Sequence, residues 1–229
     1  MKYLRATFFM LSTILIYLGL VLLGWGFGNL REYFSVFPRF GYAVIVIFFG
    51  LAIGWQAIDS PEGIEGGKGD QTKLVRRETI VGIVITLLAF ASLMGLPFFD
   101  RHVIAVFTDN IVIRWFGLFT AALGYTLIFL SGLALGKQYS AEVTIQKDHQ
   151  LITFGIYQYL RHPRYAGVLS LAIGLSLLFR TWAGLLIAGI LLLVLLLRIK
   201  DEEMMLSKEF GQEWEQYCQK SWRILPFIY

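Results

Sequence analysis

The chain has 229 residues, of which 57% are hydrophobic and only 16% charged, whereas a water-soluble domain of this size carries about 25% charged residues. That balance excludes an ordinary soluble globule and points to a membrane protein. A single cysteine, Cys218, excludes an intrachain disulfide and any multi-cysteine metal site, and His102, His149 and His162 lie too far apart for a metal-binding spacing.

Apolar stretches near the roughly 20 residues that cross a bilayer occur at 8–27, 40–58, 79–99, 112–136, 165–179 and 181–197. The expected fold is an all-α integral membrane protein with about six transmembrane helices. Lys2 and Arg5 ahead of the first stretch imitate a signal peptide, but the run is long and no A-x-A-like site follows, so a retained helix is expected. "GWGFG" at 24–28 ends this helix and has no preceding strand that would make it a dinucleotide fingerprint. Between the second and third stretches, "GIEGGKG" lacks the P-loop spacing, because Glu62 and Gly69 stand where glycine and Ser/Thr are required. A glycine-rich, charged loop is the reading there.

The fifth stretch is short, and only Arg180 and its neighbours separate it from the sixth, so the two are expected to form a tight helical hairpin. Residues 1–136 then make an N-terminal region of four helices. Residues 137–229 make a second region: a polar segment, the hairpin and a C-terminal helix. Arg31, Arg39, Arg101, Arg114 and Arg180 fall on one side of this topology and the other fifteen Lys and Arg on the opposite side. By the positive-inside rule both termini are cytoplasmic. The net charge of +4 reflects this bias and does not argue for nucleic acid.

After Gly136 the chain turns polar and aromatic, up to "YLRHPRYAG" at 159–167. Proline restricts the residue before it and suits the first turn of a helix, so His162 should lie outside the helix and Pro163 open it. Arg161 and His162 thereby stand at a helix start, where free N–H groups favour an anion. Arginines beside a membrane helix also serve as headgroup anchors. At the far end of the hairpin, "LLLRIKDEEMM" runs from apolar helix into acid, which places Arg198 and Glu202 at i, i+4 on one face, beside Arg161 and His162. Leu206, Phe210, Trp214 and Tyr217 continue at three- and four-residue spacing, as an amphipathic helix does.

Together, "GIYQYLRHPRYAGVLSLAIG", the hairpin and "DEEMMLSKEFGQEWEQYCQKSWRILP" resemble the isoprenylcysteine carboxyl methyltransferase family and its relatives among membrane phospholipid methyltransferases. The likeness covers roughly residues 137–227. It implies a pocket for S-adenosylmethionine facing the cytoplasm and a lipophilic methyl acceptor arriving from the membrane. By that resemblance His149, Gln150, Leu151, Ile152, Tyr157, His162, Pro163, Arg164, Tyr165 and Glu202 line the cofactor, with Gln146 as a further candidate. Arg198 faces the substrate as the catalytic residue.

The residue types suit methyl transfer, which needs alignment and a dry site more than a proton relay. The acceptor stays open among a prenylcysteine carboxylate, a phospholipid amine and another lipid-linked acid. A rival class is the NADPH-dependent membrane sterol reductases, whose tails resemble "WEQYCQKSWRILPFIY". They tend toward an Asn-Tyr-x-Gly-Asp pattern, where this chain reads Arg164-Tyr165-Ala166-Gly167-Val168. A transporter would show internal repeats or charges in mid-helix, and the sequence shows neither.

Overall fold

The computed structural model describes residues 2–59, 76–136 and 151–226. Within them all regular structure is helical, and the only β pairing consists of two isolated bridges. The first apolar run is α1 (Lys2–Ile14), a π-helical turn (Leu15–Gly19) and α2 (Leu20–Trp25). A short α3 (Leu30–Ser35) leads into α4 (Phe37–Asp59). Next come α5 (Arg76–Phe90), a second π-helical turn (Ala91–Gly95) and α6 (Leu96–His102). The long α7 (Ile111–Leu135) precedes α8 (Pro163–Leu178), α9 (Trp182–Phe210) and α10 (Gln212–Cys218).

Among the described residues, five helical runs are long and apolar enough to cross a membrane: Lys2–Trp25, Phe37–Ile58, Ile80–His102, Ile111–Leu135 and Trp182–Phe210. The fifth expected segment, Pro163–Leu178, is apolar but shorter than these. The first helix starts at Lys2, six residues before its apolar stretch, because helix formation tolerates the charges that hydropathy rejects. The expected C-terminal amphipathic helix is divided. α9 carries Leu206 and Phe210, Gly211 takes a φ of +51°, and α10 carries the buried Trp214 and Tyr217.

The most extensive helix packing is between α7 and α8. Gly117 and Gly124 on α7 face Gly174 and Gly167 on α8, each pair seven residues apart and hence on one face. A Cβ on Gly124 would lie 2.7 Å from the Gly167 carbonyl oxygen, so only glycine lets these backbones touch. α8 then returns along α9 through residues 179–181, with Ser176 against Gly184 near the turn. This packing brings both ends of α8 to opposite faces of the bundle.

Around it sits an aromatic core of Trp25, Tyr33, Tyr42 and Tyr125, all 2% exposed or less. The Tyr42 hydroxyl lies 2.9 Å from that of Tyr125 and donates to the Tyr17 carbonyl at 3.0 Å, within the first π-helical turn. Buried phenols need partners of this kind.

One face of the bundle is tied by Asp100, whose side chain is 1% exposed. It accepts from Arg114 Nη1 (2.8 Å) and Nη2 (3.0 Å), from Arg180 Nε (2.6 Å) and from Arg39 Nη1 (3.4 Å). Arg114 Nη1 also donates to the Leu178 carbonyl at 2.7 Å, capping the end of α8. α4, α6, α7 and the α8–α9 turn therefore meet on one carboxylate. The other end of α8 carries the polar site.

Candidate functional site

Pro163 opens α8, and His162, at φ −125° and ψ 57°, stands outside it, as the proline restriction requires. Across from it, α9 continues past its apolar part without a break, because nothing between Leu197 and Phe210 disfavours helix. Arg198, Glu202 and Glu203 are thereby carried to the start of α8.

Arg198 and Glu202 do share a face, but Tyr165 joins them. Its hydroxyl donates to Glu202 Oε2 (2.8 Å) and accepts from Arg198 Nε (2.9 Å). The Tyr165 ring stacks on His162 with centroids 5.5 Å apart and planes 13° from parallel. His162 Nε2 lies 3.2 Å from Glu203 Oε1, and its Nδ1 lies 3.8 Å from Glu202 Oε2. Thus the imidazole spans both carboxylates. Arg198 is 9% exposed, His162 4%, and the Glu202 side chain, at 30%, is the most open of the three.

Glu203 is the residue that sequence reasoning passed over. It accepts from Arg161 Nε (3.2 Å) and from Arg223 Nε (3.0 Å), and Arg223 Nη2 approaches its other oxygen at 2.6 Å. Arg161 Nη1 also donates to the carbonyls of Cys218 (3.0 Å) and Ser221. Backbone bonds run alongside: Arg161 N–H to the Trp222 carbonyl (2.7 Å), His162 N–H to that of Arg223 (3.0 Å), and Trp222 N–H to that of Tyr159 (2.9 Å). Residues 217–224 therefore form a strap over the start of α8. Its only trace in the sequence is a second glutamate beside Glu202, since the partners Arg161 and Arg223 lie 42 and 20 residues away.

Tyr157 is buried in the 3₁₀ turn Gly155–Gln158, and its carbonyl accepts from the Tyr217 hydroxyl at 2.7 Å. Burial pushes the Tyr157 phenol well above its ordinary range, and the Tyr217 phenol up to about 12. Both stay protonated at neutral pH, and Tyr217 acts as a donor. Burial also raises the Cys218 thiol, which keeps it out of the thiolate form. Leu151, Ile152 and Arg164 are half-buried, and Pro163 is buried in the first turn of α8. Gln146, His149 and Gln150 fall outside the described residues. The geometry thus brings together Tyr165, His162, Arg198 and Glu202 of the expected set.

Beneath this polar site lies an apolar cavity of about 170 Å³. It begins at Val168, one helical turn below Tyr165, and reaches Leu175.

This arrangement defines a multi-pass α-helical membrane protein whose last two apolar helices build a carboxylate- and arginine-lined site at one membrane face. The family it matches is the isoprenylcysteine carboxyl methyltransferase (ICMT) family, whose model covers residues 115–208. The chain is 27% identical over 220 residues to the protein-S-isoprenylcysteine O-methyltransferase of Schizosaccharomyces pombe, covering 91% of this chain and 86% of that one. It is 32% identical over 119 residues to a probable protein-S-isoprenylcysteine O-methyltransferase of Oryza sativa, covering 51% of this chain and 62% of the relative. The matched part thus spans less than two thirds of the rice protein. The fold resembles the solved eukaryotic intramembrane Ras methyltransferase ICMT, with a TM-score of 0.51, 19% identity, and coverage of 99% of this chain and 96% of that one.

Proposed function

We propose that the protein is an S-adenosylmethionine-dependent methyltransferase acting on the carboxylate of an isoprenylcysteine-like or other lipid-linked acceptor. The observation that carries this reading is the Tyr165 hydroxyl, which locks Arg198 and Glu202 onto one wall at the membrane surface. The names of the relatives support the same chemistry.

The residues fit the cofactor. Glu202 is an accessible carboxylate suited to an ammonium or to ribose hydroxyls, and His162 with Tyr165 offers a stacked aromatic wall. When bound, S-adenosylmethionine supplies a methyl group activated by the sulfonium. Arg198 holds the acceptor carboxylate by charge-assisted hydrogen bonds, its guanidinium oriented through Nε by Tyr165. A carboxylate is ionised at neutral pH, so no side chain has to remove a proton. What the protein contributes is alignment of the reacting atoms and exclusion of water. The bias of basic residues supports a cytoplasmic position for this site and for both termini.

The test is binding of S-adenosylmethionine, S-adenosylhomocysteine and NADPH, in parallel, to the protein in nanodiscs. Saturable binding of the first two, weakened by Glu202→Gln, is expected. Arg198→Ala should abolish transfer to a prenylcysteine acceptor and leave cofactor affinity intact. Binding of NADPH alone would replace this reading with a reductase.

A further inference from the structure

Arg223 lies beyond the family-matched segment, yet it grips His162 from two sides. Its carbonyl accepts from the His162 N–H at 3.0 Å. Its guanidinium forks onto Glu203, with Nε 3.0 Å from Oε1 and Nη2 2.6 Å from Oε2, and Glu203 Oε1 in turn lies 3.2 Å from His162 Nε2. A fork of this kind fixes the plane of a carboxylate, which a point charge does not. That plane decides where Oε1 stands relative to the imidazole.

The strap does not need this side chain to stay in place. Ile224, 4% exposed, sits in one apolar cluster with Ala166 of α8 and Ile199 of α9. On the other side Ser221 is buried, and its Oγ donates to the Tyr217 carbonyl at 2.7 Å. Main-chain bonds between residues 159–162 and 222–223 hold the stretch between them. The Arg223 side chain is itself 31% exposed, and an ion pair so open to water contributes little to stability. What its fork supplies is orientation. His162 stacks on Tyr165, and the Tyr165 hydroxyl bridges Arg198 and Glu202. Contacts therefore run without a gap from Arg223 through Glu203, His162 and Tyr165 to the arginine and carboxylate of the site.

We infer that Arg223 is a positioning residue for methyl transfer: by setting the plane of Glu203 it fixes the His162 ring against Tyr165, and so keeps the Tyr165 hydroxyl between Arg198 and Glu202. This rests on the methyltransferase reading above. Arg223 acts through the stacked rings and needs no contact of its own with cofactor or acceptor. Losing it slows transfer more than it weakens binding, because misalignment is felt where the reacting atoms must stand in line.

The experiment measures kcat for N-acetyl-S-farnesyl-cysteine, S-adenosylmethionine affinity and Tm in nanodiscs, for Arg223→Met, Arg223→Lys, Tyr165→Phe and the double variant of Arg223→Met with Tyr165→Phe. Arg223→Met should lower kcat about tenfold, while cofactor affinity changes by less than about threefold and Tm by no more than about 3 °C. Arg223→Lys keeps the charge and loses the fork, so its Tm should match the wild type while kcat stays about as low as in Arg223→Met. Because both residues act along one chain of contacts, the double variant should be slowed by much less than the product of the two single effects. Lys220→Met removes an exposed cation from the same strap and should leave all three readings at wild type. Full kcat in either Arg223 variant, a fall in kcat that merely follows Tm, or single effects that multiply in the double variant overturns the inference while the methyltransferase reading stands. If the wild-type protein binds the cofactor but does not methylate the prenylcysteine, the acceptor reading fails and the inference falls with it.

Discussion

Replacing Glu203 by glutamine tests whether the strap across the start of α8 is held by charge. The carboxylate receives hydrogen bonds from Arg161 and Arg223 and lies 3.2 Å from His162 Nε2, with its own side chain 12% exposed. A hydrogen bond to a charged group contributes about 1.5–3 kcal/mol. Arg223 is 31% exposed and recovers part of its loss from water. Arg161 keeps the carbonyls of Cys218 and Ser221. A net loss of about 2–3 kcal/mol remains, concentrated on Arg161 and His162. For a chain of this size that corresponds to a fall in Tm of roughly 5–10 °C in detergent. Because the strap carries Lys220 and Arg223, limited trypsin digestion should cut there faster in the variant than in the wild type. A melting temperature within about 1 °C of wild type, with unchanged digestion, would refute the charge clasp and leave the strap held by the backbone bonds to residues 222–223 and by the Arg161 and Tyr217 side-chain bonds to main-chain carbonyls.

Tyr165→Phe keeps the stack on His162 but removes the hydroxyl between Arg198 and Glu202; methyl transfer should fall about tenfold or more with a smaller change in Tm, measured by turnover and thermal unfolding in parallel. Asp100→Ala leaves the buried Arg39 and Arg114 without their shared carboxylate and should cost about 3–5 kcal/mol, read as a large drop in Tm. Asp100→Asn should lie between that variant and the wild type. Gly124→Val forces α7 and α8 apart, since its Cβ meets backbone at 2.7 Å; size-exclusion chromatography should show loss of the monodisperse protein. Gly189→Ala, with open space at the same test, should behave as wild type.

Much of the fold is readable along the chain because a bilayer leaves few solutions: apolar runs of sufficient length must close their backbone hydrogen bonds internally, and helices do so. The ends are readable where one residue type forces them, as Pro163 forces the start of α8 and sets His162 outside it. The i, i+4 relation of Arg198 and Glu202 likewise follows from helical period alone. Gly211 was the harder signal, since a glycine with positive φ looks in sequence like any other, and it splits the expected amphipathic helix in two.

Contacts between distant segments are a different matter. That Tyr165 would stand between Arg198 and Glu202, that Glu203 would gather Arg161, His162 and Arg223, and that Asp100 would collect arginines from three other parts of the chain depends on how helices rotate and cross. Those angles are set by packing, above all by the glycine faces of α7 and α8, which bring two backbones into contact. Periodicity states which residues share a face of one helix. Only the meeting of two helices states which faces look at each other, because that choice is made by the summed fit of many side chains and by no local stretch of sequence.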